Sequence, residues 1–318
     1  MAATTFITKK YKLNNGLEIP AVGLGTWQGA YGTEAEDELR ESIIFALKSG
    51  YRHIDSAAAY GVETVVGEAV RQSGIPREEI FIVTKLWSDY HDRAEEAFLG
   101  SLERLGLDYI DLYLMHWPAS LTHDGKPTDS PTPAETWLNM EAVMKKYPTK
   151  LRSIGVSNFS KKTIDPLLET ATIVPVVNQV EVHPMLPQTE LIEYFGSKGI
   201  HVTAYSPLGQ PNTPFFTDPT MTAIAAKYGL TPAQIILAWE LQKGISIIPK
   251  SANRERIIAN ITLPTLAPED VKTVDDYHLG PMCHRRLCYI NHGPPTGHDV
   301  QFGWTYEMLG WDHFEVPY

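Results

Sequence analysis

Short runs of apolar and β-branched residues recur along the chain and alternate with segments that carry apolar residues at helical spacing. Leu39, Ile43 and Leu47 show this spacing on one helical face. The pattern predicts strands that start at about Ala21, His53, Ile80, Ile110, Ser153, Val176, His201 and Ser246. It predicts helices over residues 34–49, 63–73, 93–105, 132–145, 161–170, 190–198, 220–228, 232–242 and 254–260.

Eight strands, each followed by helix, are typical of a closed parallel (β/α)8 TIM barrel, an α/β fold. A doubly wound open sheet would want about six strands and a complete G-x-G-x-x-G turn, which the segment at residues 23–28 starts but does not finish. Two short strands around Asn14-Asn15-Gly16 predict a hairpin that can plug the barrel bottom. We expect one domain over residues 1–318, with the hairpin within residues 1–20 and an irregular substrate-binding lid over residues 281–318.

Composition limits the kinds of molecule that the protein is expected to bind. The chain has 318 residues, and its net charge of -11 argues against nucleic acid or an anionic membrane as the main partner. The longest apolar stretches are strand-sized, and residues 1–10 lack the apolar core of a signal peptide. Two cysteines, Cys283 and Cys288, indicate neither a disulfide framework nor a structural metal. These features favour a cytoplasmic protein with a small-molecule partner.

Nearly every predicted strand ends in a polar or ionisable residue. In a barrel the carboxyl ends of the strands meet at one face, where active sites lie. The sequence therefore predicts one active-site wall built from Asp55, Lys85, His116, Ser157, Asn158, Gln179, Tyr205 and Lys250.

Asp55, Tyr60, Lys85 and His116 are the candidate catalytic set. A tyrosine with its ordinary pKa of about 10 neither gives nor regains a proton readily at neutral pH. A lysine ammonium beside the phenol stabilises the phenolate, an aspartate holds that cation in place, and a histidine can orient a carbonyl. Together these groups can protonate an oxygen on which negative charge develops.

At these residues the chain resembles the aldo-keto reductases of the aldose and aldehyde reductase type, and the fungal sugar reductases among them. The resemblance covers roughly four-fifths of the chain and rests on the segments at residues 23–27, 50–61, 114–118, 155–159, 178–181, 204–209 and 248–251. It implies NADPH-dependent reduction of an aldehyde or aldose carbonyl, with a sugar or glyceraldehyde as the expected substrate. It also implies that Tyr60 is the general acid, that Asp55 and Lys85 tune it, and that His116 orients the carbonyl.

The resemblance carries over the cofactor site residue by residue. Ser157, Asn158 and Gln179 match residues that bind the nicotinamide carboxamide, and Tyr205 matches the ring on which nicotinamide stacks. Ser206 and Leu208 match pyrophosphate contacts. Lys250, Ser251, Arg256 and Asn260 match the adenosine end, where a cationic pocket for a 2'-phosphate favours NADPH, with NADH as a weaker alternative. The remaining cofactor candidates are Thr26, Trp27, Asp55, Gln210, Ala233 and Ile248.

Three positions depart from the family pattern. Gln28 and Asn212 stand where related proteins have a Lys–Asp pair that latches a loop over the pyrophosphate, so we expect faster cofactor exchange or a weaker polar clasp. Ala259 replaces a glutamate that often contacts the adenosine. The tail is also longer than in many relatives.

The substrate site and the alternatives remain open at this stage. Trp27, Trp87, His116 and Trp117 are expected to line the substrate pocket. The segment His284-Arg285-Arg286 is an ordinary solvated charge run unless it holds a carboxylate, as a galacturonate-type uronate reductase requires. A metal-dependent hydrolase using His53, Asp55 and His116, a structural ion pair of Asp55 with Lys85, and a non-catalytic NADPH-binding regulatory subunit are the other interpretations. We expect no metal, and the pattern allows a monomer or a homodimer.

Overall fold

The computed structural model describes residues 3–27, 33–210, 213–280, 283–288 and 300–311. The strands are β1 (Thr4–Phe6), β2 (Lys10–Lys12), β3 (Glu18–Pro20), β4 (Leu24–Gly25), β5 (His53–Asp55), β6 (Phe81–Leu86), β7 (Leu112–Met115), β8 (Ser120–Leu121), β9 (Pro127–Thr128), β10 (Ile154–Ser157), β11 (Val177–Glu181), β12 (His201–Tyr205), β13 (Ser246–Ile247), β14 (Thr262–Pro264), β15 (Val300–Gln301) and β16 (Trp304–Thr305). The helices are α1 (Thr33–Lys48), α2 (Glu63–Ser73), α3 (Ala94–Leu105), α4 (Pro133–Lys146), α5 (Lys161–Thr170), α6 (Thr189–Ser197), α7 (Pro219–Tyr228), α8 (Pro232–Gln242), α9 (Arg254–Ile261), α10 (Pro268–Asp275) and α11 (Tyr306–Leu309).

Eight parallel strands form the central sheet, in the order β13-β12-β11-β10-β7-β6-β5-β4. The sheet curls until its two edges meet. Gly23 N–H donates to the Ile247 carbonyl at 2.8 Å, and Ile247 N–H donates to the Ala21 carbonyl at 2.8 Å. Val22 and Ile247 form a parallel bridge between these edges. The eight predicted strands and the barrel fold are confirmed.

The bottom of the barrel is closed by the predicted hairpin, in which β2 pairs with β3 in antiparallel register. Leu13 and Ile19 are buried there against an apolar cluster that includes Phe81, Val83 and Val177. The hairpin therefore covers the amino-terminal ends of the barrel strands and leaves the carboxyl-terminal ends as the face for a site. β1, which pairs with β14, is an addition that the sequence pattern did not predict.

The helices begin and end at recognisable signals. Thr132 and Thr231 each cap a helix that starts with proline, and each side chain accepts from a backbone N–H in the first turn. Gly74 and Gly106 end α2 and α3 in the left-handed region, with φ of 73° and 57°. The nine predicted helices match α1 to α9, each end within one residue. Within the described residues, no helix is long and apolar enough to cross a membrane.

The C-terminal lid departs from the prediction of an irregular segment. Its described part at residues 300–311 forms the β15–β16 hairpin and the one-turn helix α11. The Thr305 side chain accepts from Met308 N–H at 3.1 Å and so caps α11. These elements are too short to show a countable period in the sequence, and α10 was missed as well.

Glu240 is a buried acid in α8 that carries a testable consequence for stability. Its side chain is fully buried, and within the described ranges neither carboxylate oxygen has a hydrogen-bond partner. Burial raises the pKa of Glu240 well above 4.5, so the folded protein keeps the proton that the unfolded chain releases as pH rises. Because the unfolded state then binds fewer protons, the free energy of unfolding falls with rising pH above about 4.5.

We expect Glu240→Met to raise the free energy of unfolding by about 1–3 kcal/mol at pH 8, because it removes a buried unsatisfied polar group. The gain should shrink towards pH 4, as measured by urea unfolding across this range. Glu141 is the matched control: it is a buried helical acid that accepts from the N–H groups of Thr172 and Ile173, so Glu141→Met should destabilise. A Glu240→Met gain that does not depend on pH would contradict the assignment of Glu240 as a buried neutral acid.

Candidate active site

The centre of the site is a buried ion pair at the ends of β5 and β6. Lys85 Nζ lies 2.6 Å from Asp55 Oδ1 and donates to the Ser56 carbonyl at 2.8 Å. Gln179 Nε2 donates to the other aspartate oxygen at 2.6 Å. Burial lowers the pKa of Lys85, and the neighbouring Asp55 opposes that shift. Lys85 is therefore a cation that Asp55 and the Ser56 carbonyl hold in place. The ion pair lies at the carboxyl-terminal mouth of the barrel.

Tyr60 stands next to this pair, on the 3₁₀ turn Ala58–Tyr60 that follows β5. Gly61 ends the turn with φ of 70°, a conformation that glycine adopts without strain. Lys85 Nζ lies 5.1 Å from the centre of the Tyr60 ring, and the His116 ring centre lies 5.7 Å from it. The four candidate catalytic side chains are thus brought together at one point.

His116 is a neutral imidazole. Burial lowers its pKa well below 6.5, and the positive charge of Lys85 lowers it further. In the described part of the structure its Nδ1 has no hydrogen-bond partner. A neutral ring donates from one nitrogen only, so His116 is suited to hydrogen-bond a carbonyl oxygen without adding a positive charge to the pocket.

The candidate nicotinamide-binding residues form one hydrogen-bonded chain. Tyr205 Oη donates to Asn158 Oδ1 at 2.8 Å, and Asn158 Nδ2 donates to the His116 carbonyl at 3.0 Å. Ser157 Oγ donates to the Gln179 carbonyl at 2.8 Å. Asn158 has φ of 66° and Ser206 has φ of 47°, conformations that cost energy for residues other than glycine and that cluster at functional sites. This arrangement links the polar strand ends directly to His116, one of the candidate catalytic residues.

A second part of the candidate cofactor site is a cleft of about 820 Å³ beyond β13. Three of the cofactor candidates, Lys250, Ser251 and Arg256, line it together with Ala252, Asn253, Arg254, Glu255 and Glu38, which were not among the candidates. Burial lowers the pKa of Lys250, Glu38 raises it, and the neighbouring Arg256 lowers it further. The cleft concentrates three cationic side chains and is therefore suited to an anionic group. Ala233, Ile248 and Asn260 are absent from its lining.

The remaining cofactor candidates lie around the mouth. Thr26 Oγ1 donates to the Asp55 carbonyl at 2.9 Å, which ties the end of β4 to the end of β5. Leu208 packs on the core, and Gln210 is exposed with its amide 3.1 Å from Cys288 Sγ. The predicted contact between Gln28 and Asn212 falls outside the described residues.

Aromatic side chains lie beside the candidate catalytic residues. Trp27 is 48% exposed and its ring centre lies 5.2 Å from that of Tyr60. Trp87 packs edge-on against His116 at 5.2 Å. Phe302 from the tail contacts Trp87 at 5.2 Å and Trp117 at 5.1 Å. The three predicted tryptophans therefore form a wall beside Tyr60 and His116, and the tail completes it.

Comparison with known proteins identifies the family to which the chain belongs. A family model described as the aldo/keto reductase family matches residues 21–278. The chain belongs to the aldo/keto reductase family. It is 43% identical to a D-galacturonate reductase of Hypocrea jecorina, over 87% of this chain and 91% of that protein. It is 44% identical to an aldehyde reductase of Saccharomyces cerevisiae, over 83% of this chain and 89% of that protein.

A solved structure of a family member shows the same architecture. The Bombyx mori aldo-keto reductase, whose crystal structure is a complex with NADP, matches with a TM-score of 0.81 and 39% sequence identity, over 91% of this chain and 96% of that one. The family model, the relatives and the solved structure all confirm the resemblance that the strand-end motifs indicated.

In this aldo/keto reductase the metal interpretation has no support from the side chains. The His53 ring is fully buried, with Nδ1 3.2 Å from the Pro20 carbonyl of the bottom hairpin, and Asp55 is engaged by Lys85. Among the described residues, no group of three or more His, Cys, Asp or Glu side chains could hold a metal ion.

Three residues in or next to the tail have positions that the sequence did not predict. Arg286, expected in a solvated charge run, is only 5% exposed and stacks on Trp311 at 3.7 Å; that expectation was wrong. Phe302 closes the aromatic wall, although nothing in its sequence context indicates this. Glu181 binds the tail, and a signal for it existed: it is a carboxylate at the end of an otherwise uncharged strand, two residues beyond Gln179.

Proposed function

We propose that Tyr60 supplies the proton when this protein reduces an aldehyde or aldose carbonyl with NADPH. The observation that carries the assignment is the position of the Tyr60 ring, whose centre lies 5.1 Å from Lys85 Nζ and 5.7 Å from the His116 ring centre. As an aldo/keto reductase the protein is an NADP-dependent oxidoreductase that acts on carbonyl and alcohol groups. NADPH supplies the hydride when bound; the protein's residues orient the carbonyl and provide the proton.

Each of the four residues has one role in the proposal. The Lys85 cation stabilises the phenolate that forms as Tyr60 gives up its proton. Asp55 and Gln179 keep Lys85 charged and fixed, because a buried ammonium without a carboxylate partner would lose its proton. Neutral His116 donates a hydrogen bond to the carbonyl oxygen and holds it towards Tyr60.

The candidate cofactor residues fit NADPH. Ser157, Asn158 and Gln179 present polar groups beside Tyr205, whose half-buried ring offers a face for nicotinamide. Ser206, Leu208 and Gln210 form the loop that we assign to the pyrophosphate. The cationic cleft at Lys250, Ser251 and Arg256 suits a 2'-phosphate, and this is the reason to expect NADPH to be preferred over NADH.

A uronate is the second candidate substrate. The similarity to a D-galacturonate reductase favours it, and a substrate carboxylate would need a cation near the mouth. Arg286 is held by Glu181 and Trp311, so Arg285 is the arginine of this segment that is more accessible to a carboxylate. Neutral aldehydes and aldoses need no such cation and remain the first candidates.

The test is the initial rate of NADPH oxidation at neutral pH with glyceraldehyde, xylose, galacturonate and benzaldehyde, repeated with NADH for the best substrate. We expect turnover of the neutral carbonyl compounds and a kcat/KM that is higher with NADPH than with NADH. A galacturonate preference that Arg285→Ala removes would establish the uronate reductase. NADPH binding without turnover of any carbonyl compound would instead support a regulatory subunit.

A further inference from the structure

The C-terminal tail is fastened to the barrel mouth by one buried carboxylate, that of Glu181 at the end of β11. Its Oε1 accepts from the backbone N–H groups of Leu287 at 2.6 Å and Cys288 at 3.0 Å, and it lies 2.9 Å from His183 Nε2. Arg286 Nη1 is 3.5 Å from the other oxygen. Burial raises the pKa of Glu181, but the bond from His183, the Arg286 charge and the Leu287 N–H bring it down to about 2. The carboxylate is therefore charged at any working pH.

The fastened segment, residues 286–288, lies on the loop at residues 206–210. Cys288 Sγ is 3.0 Å from Ser206 Oγ, and Gln210 Nε2 donates to the same sulfur at 3.1 Å. A Cβ added at Gly209 would lie 2.8 Å from Leu287 Cδ1, so the Leu287 side chain packs directly against the loop at this glycine. The segment thus covers the loop that we assign to the cofactor pyrophosphate.

The same segment supports the substrate wall. The Arg286 guanidinium stacks on Trp311 at 3.7 Å, and the Trp311 ring centre is 5.6 Å from that of Trp117. A cation over a tryptophan face is a favourable contact when both groups are desolvated. Glu181 therefore reaches the pyrophosphate loop through Cys288 and the substrate wall through Arg286.

We propose that Glu181 is a positioning residue that holds residues 286–288 as a strap across the 206–210 loop, and that bound NADPH leaves when this strap lifts. The proposal rests on the proposed function, since it takes the 206–210 loop as the pyrophosphate site. Lifting the strap breaks two backbone hydrogen bonds to a charged acceptor and an ion pair. These contacts slow release without touching the nicotinamide or the reacting atoms.

The test is the NADPH release rate of the full-length protein, measured by stopped-flow displacement with NADPH fluorescence as the signal. Glu181→Gln keeps the side-chain shape and removes the charge, so we expect release to be about fivefold to tenfold faster. Glu141→Gln is the matched control. Glu141 is an equally buried carboxylate that accepts from the N–H groups of Thr172 and Ile173, but it lies outside the barrel mouth. It should leave the release rate unchanged.

Cys288→Ala tests the contact between the strap and the 206–210 loop. It also provides an independent test if Glu181→Gln does not fold. It removes the sulfur contacts with Ser206 and Gln210 and should also speed release. If both residues act through one strap, the double variant should release NADPH little faster than Glu181→Gln. Release at the wild-type rate from the single variants, or effects that multiply fully, would overturn the strap. A wild-type protein that does not bind NADPH would overturn the proposed function and the strap with it.

Discussion

Tyr60→Phe should lower kcat for carbonyl reduction by about 10²–10⁴-fold, the range typical of removing a positioned general acid. The change deletes one hydroxyl and keeps the ring that packs between Trp27 and His116. Because this hydroxyl is assigned to the proton transfer and not to the cofactor, the Kd for NADPH should stay close to that of the wild type. Steady-state rates with glyceraldehyde and a fluorescence titration with NADPH measure the two quantities.

The control for this variant is Tyr194→Phe, at a partly buried tyrosine on α6 whose hydroxyl donates to Asp165 Oδ1. It should keep the wild-type rate. A Tyr60→Phe enzyme that retains most of its rate would show that the proton comes from another donor. A large loss of NADPH affinity would show that Tyr60 contributes to cofactor binding instead.

Lys85→Met should abolish measurable reduction and lower the free energy of unfolding by about 3–5 kcal/mol. Activity is lost because the phenolate of Tyr60 loses its cation. Stability is lost because Asp55, which is 1% exposed, keeps Gln179 as a partner but no longer has a buried positive charge beside it. Steady-state kinetics and urea unfolding measure the two effects on the same preparations.

The double variant Lys85→Met with Asp55→Leu separates these effects. Replacing both charges by apolar groups removes the uncompensated buried carboxylate, so much of the stability should return while the activity stays lost. A double variant as unstable as Lys85→Met would mean that the loss comes from packing rather than from charge. Activity in either variant would contradict the role of Lys85.

The barrel could be predicted because its signals are local and repeated. The barrel strands are short apolar runs that mostly end in a polar residue, and the predicted helices have a countable period. Some helices also carry a terminal signal, such as the Thr132 cap of α4 and the left-handed Gly106 after α3. Asp55, Lys85 and His116 followed from the same logic, since parallel strands place their carboxyl ends on one face. Tyr60, one turn beyond its strand, was identified by the chemistry that its neighbours make possible.

The tail could not be predicted in this way. Phe302 and Trp311 owe their positions to contacts with Trp87, Trp117 and Arg286, all distant in sequence, and no periodicity records such contacts. Arg286 looked like a surface charge because its partner Glu181 lies on another strand. The burial of Glu240 could not be predicted either, because an acid on a helix is expected to face solvent or a partner. Glu240 instead lies on an otherwise apolar helical face, and its carboxylate has no hydrogen-bond partner among the described residues.

The closure of the barrel between β4 and β13 has a consequence for how the chain folds. These are the two shortest strands of the barrel, and they come from opposite ends of the barrel-forming sequence. Every other pair of neighbouring strands is consecutive among the barrel strands and is joined by a helical connection. The Val22–Ile247 bridge instead joins the first barrel strand to the last, so we expect it to form after the others. The entropy of closing so long a loop opposes this contact until the rest of the sheet has formed. We therefore expect the last contact to form to be the one next to the cationic cleft, and nascent chains still lacking β13 to have an open sheet edge.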